Sequence, residues 1–300
     1  MKVLLVVDKS LHAEQAVRAV GACFSGAEVE ILHALDIEAI PHSHLSAALI
    51  EEYHRKLRSA LQDDADRFLP KFQTLLTPCS RNVSVSVREG PAAEVILQAA
   101  ASSRPDLIVL GSRGLSEIQS LLLGGVSYRV AHEARCPVLL VKRELPAIRK
   151  ILLAVRSEAA DRAVRFLAEQ TLFPPCAVVA LTVCPSSPFA DLLPEALRHH
   201  GRASATEFLT AVKIRLASRG YAVEPLIDEG DPAAAILAHA EHGGIDLVVT
   251  GARGLRGGLK SLLLGNVSRK VVVHTSKCVL IVHGDDTHVG PDKGNIRPGA

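Results

Sequence analysis

The chain has 300 residues, 48% of them hydrophobic, so it can bury a sizeable core, and at about 100 to 200 residues per domain it should hold two domains. Its 34 Lys plus Arg nearly balance 32 Asp plus Glu and aromatics are only 3%, which speaks against a basic phosphate-tracking surface, base-stacking platforms and a nucleic-acid partner. No apolar run approaches the ~18 residues of a membrane helix, MKVLLVVDKS turns polar at Asp8, too early for a signal peptide, and the six cysteines show no C-x-x-C spacing, so the expected setting is a reduced cytoplasm without a membrane partner.

Along the chain, short runs rich in Val, Ile and Leu alternate with longer segments of helical period. Strands are predicted near 2–7, 28–35, 83–88, 106–110 and 137–142, with helices near 12–22, 45–75, 91–103 and 125–134. Runs such as LLVV and LIVL are apolar on both faces, as a parallel strand covered by helices on each side requires. RELPAIR, 143–149, reads as a linker, and the pattern then starts again. KILLAVRSE at 150–158 answers KVLLVVDKS at 2–10, EGDPAAAILAHA at 229–240 answers EGPAAEVILQAA at 89–100, and GIDLVVTGARG at 244–254 answers RPDLIVLGSRG at 104–114. So long a period marks a duplicated domain and not a solenoid. The expected architecture is two doubly wound, Rossmann-like α/β domains of five parallel strands each, 1–142 and 150–283, with 284–300 a disordered tail.

Gly111 and Gly114 directly follow the strand DLIVL, at the carboxyl end where open α/β sheets bind ligands. There a missing Cβ lets backbone approach a ligand. Gly124 opens GVSYRVAHEA, a helical segment whose first N–H groups and dipole form an anion site. The plainer reading is tight turning alone, which G-x-x-G by itself does not exclude. Asp8 reads either as the cap of the helix beginning near Leu11 or as a ligand residue beside Gly111.

As a whole these motifs resemble the universal stress proteins. That family's signature is G-x2-G-x9-G-[ST], with an acidic residue ending the first strand; copy one has Asp8, Gly111, Gly114, nine residues, then Gly124, within DLIVLGSRG and CPVLLVKR. The resemblance covers 1–283 and implies an ATP site, with Mg or Mn left open. In it, Asp8 lies beside the nucleoside and Ala34 borders the adenine. Leu110 and Gly111 approach base or ribose, and Gly114, Gly124, Gly125, Val126 and Ser127 line the phosphates, Ser127 through its hydroxyl. Arg113 is a second-choice phosphate contact. Gly125 stands where the family has a hydroxyl residue, which removes a bond worth on the order of 1 kcal/mol.

Copy two departs further. Gly251, Gly254 and Ser268 survive, but Arg156 replaces the acidic residue, Asn266 the hydroxyl residue, and ten residues separate Gly254 from Gly265. A degenerate site is expected there. His239 with His242, and His42 with His44, are metal-like spacings without a third ligand nearby, so no metal is expected. Cys136 is expected to be buried and inert.

P-loop and G-x-S-x-G signatures are absent, and no catalytic residue is assigned; any ATP hydrolysis would be slow. The resemblance implies a stress-response regulator binding ATP or another adenine nucleotide in copy one. Alternatives are a nucleotide-independent interaction module or scaffold, and a slow ATPase. In family dimers the last strands pair across subunits, so VLLVK and CVLIVH should pair inside this chain, and a larger homodimer stays open.

Overall fold

The computed structural model describes residues 1–37, 47–113, 123–156, 162–169, 173–184, 195–252 and 264–283. Gly114, Gly254, His42, His44 and the tail 284–300 lie outside them. Copy one runs β1 (Lys2–Val6), α1 (Leu11–Cys23), β2 (Glu28–Leu35), α2 (Ala47–Leu76), β3 (Asn82–Glu89), α3 (Ala92–Ser103), β4 (Leu107–Gly111), α4 (Gly125–Glu133) and β5 (Val138–Val141). Copy two repeats it as β6 (Lys150–Ala154), α5 (Arg162–Glu169), β7 (Ala177–Cys184), α6 (Glu195–Ala217), β8 (Ala222–Glu229), α7 (Pro232–His242), β9 (Leu247–Gly251), α8 (Asn266–His274) and β10 (Cys278–Val282). Among the described residues no helix is long and apolar enough to cross a membrane.

The two copies share one ten-stranded sheet, ordered β3-β2-β1-β4-β5-β10-β9-β6-β7-β8. Within each copy every pairing is parallel, and strand order reverses between β1 and β4 and again between β6 and β9. Only the junction is antiparallel, with Leu140 opposite Val279, Leu139 opposite Leu280 and Val138 opposite Ile281. The expected internal pairing is therefore present, and it closes the inner edge of each domain. All five residues of β4 and of β10 are buried, because helices cover both faces.

One face carries α1, α2, α5 and α6 over a single core that runs unbroken from Val3 and Leu5 through Leu139 and Leu280 to Ile151 and Val178. Phe24 and Phe173 occupy matching positions in the two copies, and their rings meet with centroids 5.7 Å apart. On the other face the core under α3 and α4 extends into copy two through Val272, Val279 and Ile281. The linker belongs to this packing: Leu145 and Ile148 are buried, and the carbonyls of Arg143 and Leu145 accept from the thiols of Cys278 and Cys23. Cys136 is only half-buried.

Each copy also reaches a helix end of the other. Lys142, just past β5, donates from Nζ to the carbonyls of Val272 (2.5 Å) and Thr275 (2.8 Å) at the carboxyl end of α8, where a cation is favoured. His283, at the matching position past β10, is buried beside the backbone of Ala131 in α4. Burial pushes the Lys142 ammonium down to about 8 and the His283 imidazole down to about 4; His132 and Arg162 add to the second shift, which the Ala131 backbone partly opposes.

The His283 shift fixes a pH dependence. In the unfolded chain the imidazole takes a proton near its ordinary 6.5, whereas the folded chain resists until about 4, so unfolding binds a proton within that window. This contribution is intact above pH 6.5 and falls as pH drops toward 4, by on the order of 3 kcal/mol. His283→Gln keeps a polar side chain beside Ala131 but does not titrate. Urea midpoints at pH 7 and pH 4.5 should fall much less in this variant than in wild type; equal falls would contradict the buried neutral imidazole.

Candidate functional site

In copy one the reversal of strand order brings the carboxyl ends of β1 and β4 together, and the residues that follow them are stitched to each other. Asp8 is half-buried and its Oδ1 accepts from the Ser10 amide at 2.9 Å. The cap of α1 is Ser10, not Asp8: its Oγ accepts from the Ala13 amide and donates to the Arg113 carbonyl, each at 3.2 Å. Asp8 is thereby freed from the capping role, and its Oδ2 has no hydrogen-bond partner among the described residues. A serine immediately before a helical run is a readable cap signal, which the acidic residue beside it obscured.

Gly111 is a glycine for a reason of packing. A Cβ there would lie 2.7 Å from the backbone carbon of His12, 2.8 Å from its Cβ and 2.9 Å from its carbonyl oxygen. The missing side chain lets the first turn of α1 approach β4, so the close neighbour is protein backbone. At the matching position Gly251 a Cβ would meet no described atom within 4 Å.

Past β4 the chain returns through Gly124, whose amide donates to the Ser112 carbonyl at 2.7 Å. Gly124 is the N-cap of α4, with φ −83° and ψ 157°, and provides no side-chain cap; the first turn contains no acidic residue. The Tyr128 amide donates to the Gly124 carbonyl at 2.8 Å, so the amides ahead of it point past the helix end, where the dipole favours an anion. Val126 is 39% exposed there. A Cβ on Gly125 would meet no described atom within 4 Å.

Ser127 is buried, and its hydroxyl donates to the Gly111 carbonyl at 2.7 Å. Its one proton thus joins α4 to β4, and phosphate recognition at this end falls to backbone amides. Ser268 does the same to the Gly251 carbonyl at 2.7 Å, with Thr250 Oγ1 3.2 Å from its own oxygen. Gly265 likewise caps α8 without a side chain, its amide donating to Ala252 at 2.6 Å. Asn266 and Arg156 are exposed beside this second helix start.

The remaining residues divide clearly. Leu110 is buried in β4, Ala34 is half-buried near the end of β2, and Arg113 is half-buried with its carbonyl held by Ser10. His33, not singled out from sequence, packs edge-on against Phe68 and hydrogen-bonds the Val7 carbonyl at 2.8 Å beside the end of β1. His239 pairs with Asp228 at 2.8 Å and lowers that carboxyl, while His242 bonds the Ala238 carbonyl, so these two histidines do not converge. Among the described residues no cluster of three His, Cys, Asp or Glu could hold a metal. An apolar groove of about 550 Å³ beside Phe24, Phe173 and Tyr221 shares no residue with the glycine motif.

Both halves match the universal stress protein family, over residues 1–142 and 147–283. A universal stress protein of Thermus aquaticus is 38% identical over 143 residues, 47% of this chain and 97% of its own length. One from Mycolicibacterium smegmatis is 25% identical over 299 residues, 93% of this chain and 96% of its own. The crystal structure of a universal stress protein from Archaeoglobus fulgidus shares the fold, with a TM-score of 0.66 at 22% identity, covering 95% of this chain and 97% of the other.

The close packing of Gly111 is open to measurement. Gly111→Ala forces a methyl into the backbone of His12 and should cost about 1–3 kcal/mol. Thermal unfolding checks this, and an unchanged melting temperature would contradict the packing role.

Proposed function

The chain belongs to the universal stress protein family, one copy in each half, and on that premise we propose that copy one binds an adenine nucleotide, ATP in the first instance, and acts as a stress-response regulator. The carrying observation is how its helices begin. α1 and α7 are capped by the side chains of Ser10 and Asp231, whereas α4 and α8, the helices after the glycine motifs, begin on glycine with neither cap nor acidic residue. Leaving the amides of Val126 and Ser127 in α4, and of Val267 and Ser268 in α8, to an outside acceptor suits a phosphate group. The Asp8 carboxylate at the end of β1 is placed for a ribose hydroxyl, and Ala34 and Leu110 offer the apolar wall a base needs. Phosphates would rest on the amides of Val126 and Ser127, with Gly114 completing the loop.

Two features favour weak binding, and they also support the second reading, a nucleotide-independent interaction module. Gly125 provides no hydroxyl, and the Ser127 proton is engaged by Gly111. A regulatory role follows from the far end of α4, where His283 of copy two is buried beside the backbone. Phosphate at one end of this nine-residue helix would be felt across the junction at the other. Nucleotide shifts such an equilibrium only by binding one arrangement better than the other.

Gly125→Asp separates folding from binding. The new Cβ meets no described atom and the carboxylate favours the positive end of α4, so the melting temperature should hold or rise, yet it occupies the phosphate position. ATP titration calorimetry should show at least a tenfold loss of affinity for Gly125→Asp and none for Asn266→Asp. Gly125→Ser should tighten binding about fivefold, in line with one added hydrogen bond of ~1 kcal/mol. If wild type gives no heat and releases no nucleotide on denaturation, the interaction module stands instead.

A further inference from the structure

Closing the inner edges at the junction leaves β3 and β8 as the two outer edges of the ten-stranded sheet. These edges are not equivalent. In a parallel strand the N–H and C=O of one residue point to the same side, and the side alternates. Ala222 and Gly230 donate to Cys176 and Cys184 of the β7 segment, so the even positions of β8 face inward and Val223, Pro225 and Ile227 face out. Pro225 sits at the only parity a proline tolerates in a paired strand, and there it deletes the central outward donor. Of the remaining outward amides, Glu229 is taken by the Asp228 carboxylate at 2.8 Å, which leaves those of Val223 and Ile227 on either side of the gap. The β8 edge is broken at its centre.

The same parity holds in copy one, where Gly90 donates to the Leu35 carbonyl and Gln73 reaches the outward Val83 carbonyl at 3.4 Å. Val83, Val85 and Val87 therefore present their main-chain groups outward. Val85 stands where copy two has Pro225, five residues before the glycine in each case, and is 38% exposed. No proline, bulge or inward-pointing charge blocks this edge, unlike the devices that usually protect one.

We propose that the β3 edge is a self-association surface, through which two copies of this chain pair antiparallel about a two-fold axis at Val85. The register is self-complementary. With Val85 on the axis it exchanges both hydrogen bonds with the partner's Val85, and Val83 exchanges both with the partner's Val87. Ser84 then faces the partner's Ser86. Val83 and Val87 already pack against the core under α2, so pairing extends an apolar stripe instead of exposing a new one. The junction of β5 with β10 is the same kind of contact inside one chain, held by three residue pairs. With β8 broken at its centre, association stops at a dimer and does not run on into a filament. This inference is independent of nucleotide binding.

Sedimentation of the full chain from about 1 µM to about 1 mM tests it, since an edge contact this small belongs to the weak class. Wild type should shift from one to two chain masses with concentration. Val85→Pro should remain a monomer across the range with an unchanged melting temperature, because copy two tolerates proline at the matching position. Val85→Cys under mild oxidation should give a disulfide-linked dimer at low concentration, a product wild type with its own six cysteines does not form. Pro225→Val should add species beyond the dimer. A wild type that stays monomeric to the upper limit, or a Val85→Pro variant that still dimerises, overturns the proposal.

Discussion

Where β5 and β10 run antiparallel, three residue pairs satisfy the main-chain groups that each domain would otherwise leave bare at its inner edge. Everything else in the molecule is arranged around that contact. It merges two sheets into one, lets a single core pass beneath α1, α2, α5 and α6, and draws the linker into the packing through Leu145 and Ile148. Because the strands meet head to tail, the residue after each last strand is delivered to a helix end in the other copy. Lys142 and His283 then occupy matching places with different chemistry, one a cation on helix carbonyls and the other a neutral ring held out of water. The duplication supplied two equivalent positions, and divergence has assigned them differently.

The candidate site follows the same logic of paired positions. Ser127 and Ser268 make the same 2.7 Å bond to the carbonyl that ends the preceding strand, so both copies hold the helix start against the sheet by the same hydroxyl. That bond positions the amides and removes the hydroxyl proton from any ligand. At Gly111 the missing side chain admits the backbone of α1. Copy one thus brings Asp8, Ser10 and Arg113 into one stitched corner beside an uncapped helix. In copy two Arg156 is exposed past the end of β6, and the Arg269 amide closes on the Gly265 carbonyl as Tyr128 does on Gly124.

The outer edges show divergence acting on association. Pro225 and the Asp228 carboxylate remove the outward donors of β8 at 225 and 229, while β3 keeps its valine amides. Two edges that began identical now differ at the central residue, where a single missing N–H decides whether another strand can add.

Most of the secondary structure was legible in the sequence, because two-sided apolar runs and helical periodicity are local properties that the repeat states twice. The ten strands, the order of the elements, the duplication and the pairing of the last strands needed no coordinates. The glycine motif likewise lies at the carboxyl end of β4, beside the reversal of strand order, as expected. Its division of labour did not appear there: that Ser10 reaches the Arg113 carbonyl, that Gly111 makes room for His12, and that Ser127 bonds to Gly111 depend on residues about 15 to 100 positions apart meeting at a distance. Sequence alone determined which strands and helices form and which strand end carries the glycines, since propensity and period are written residue by residue. Tertiary structure alone decided which donors in that corner are already engaged, because a hydrogen bond is allotted by the three-dimensional neighbour that reaches it first.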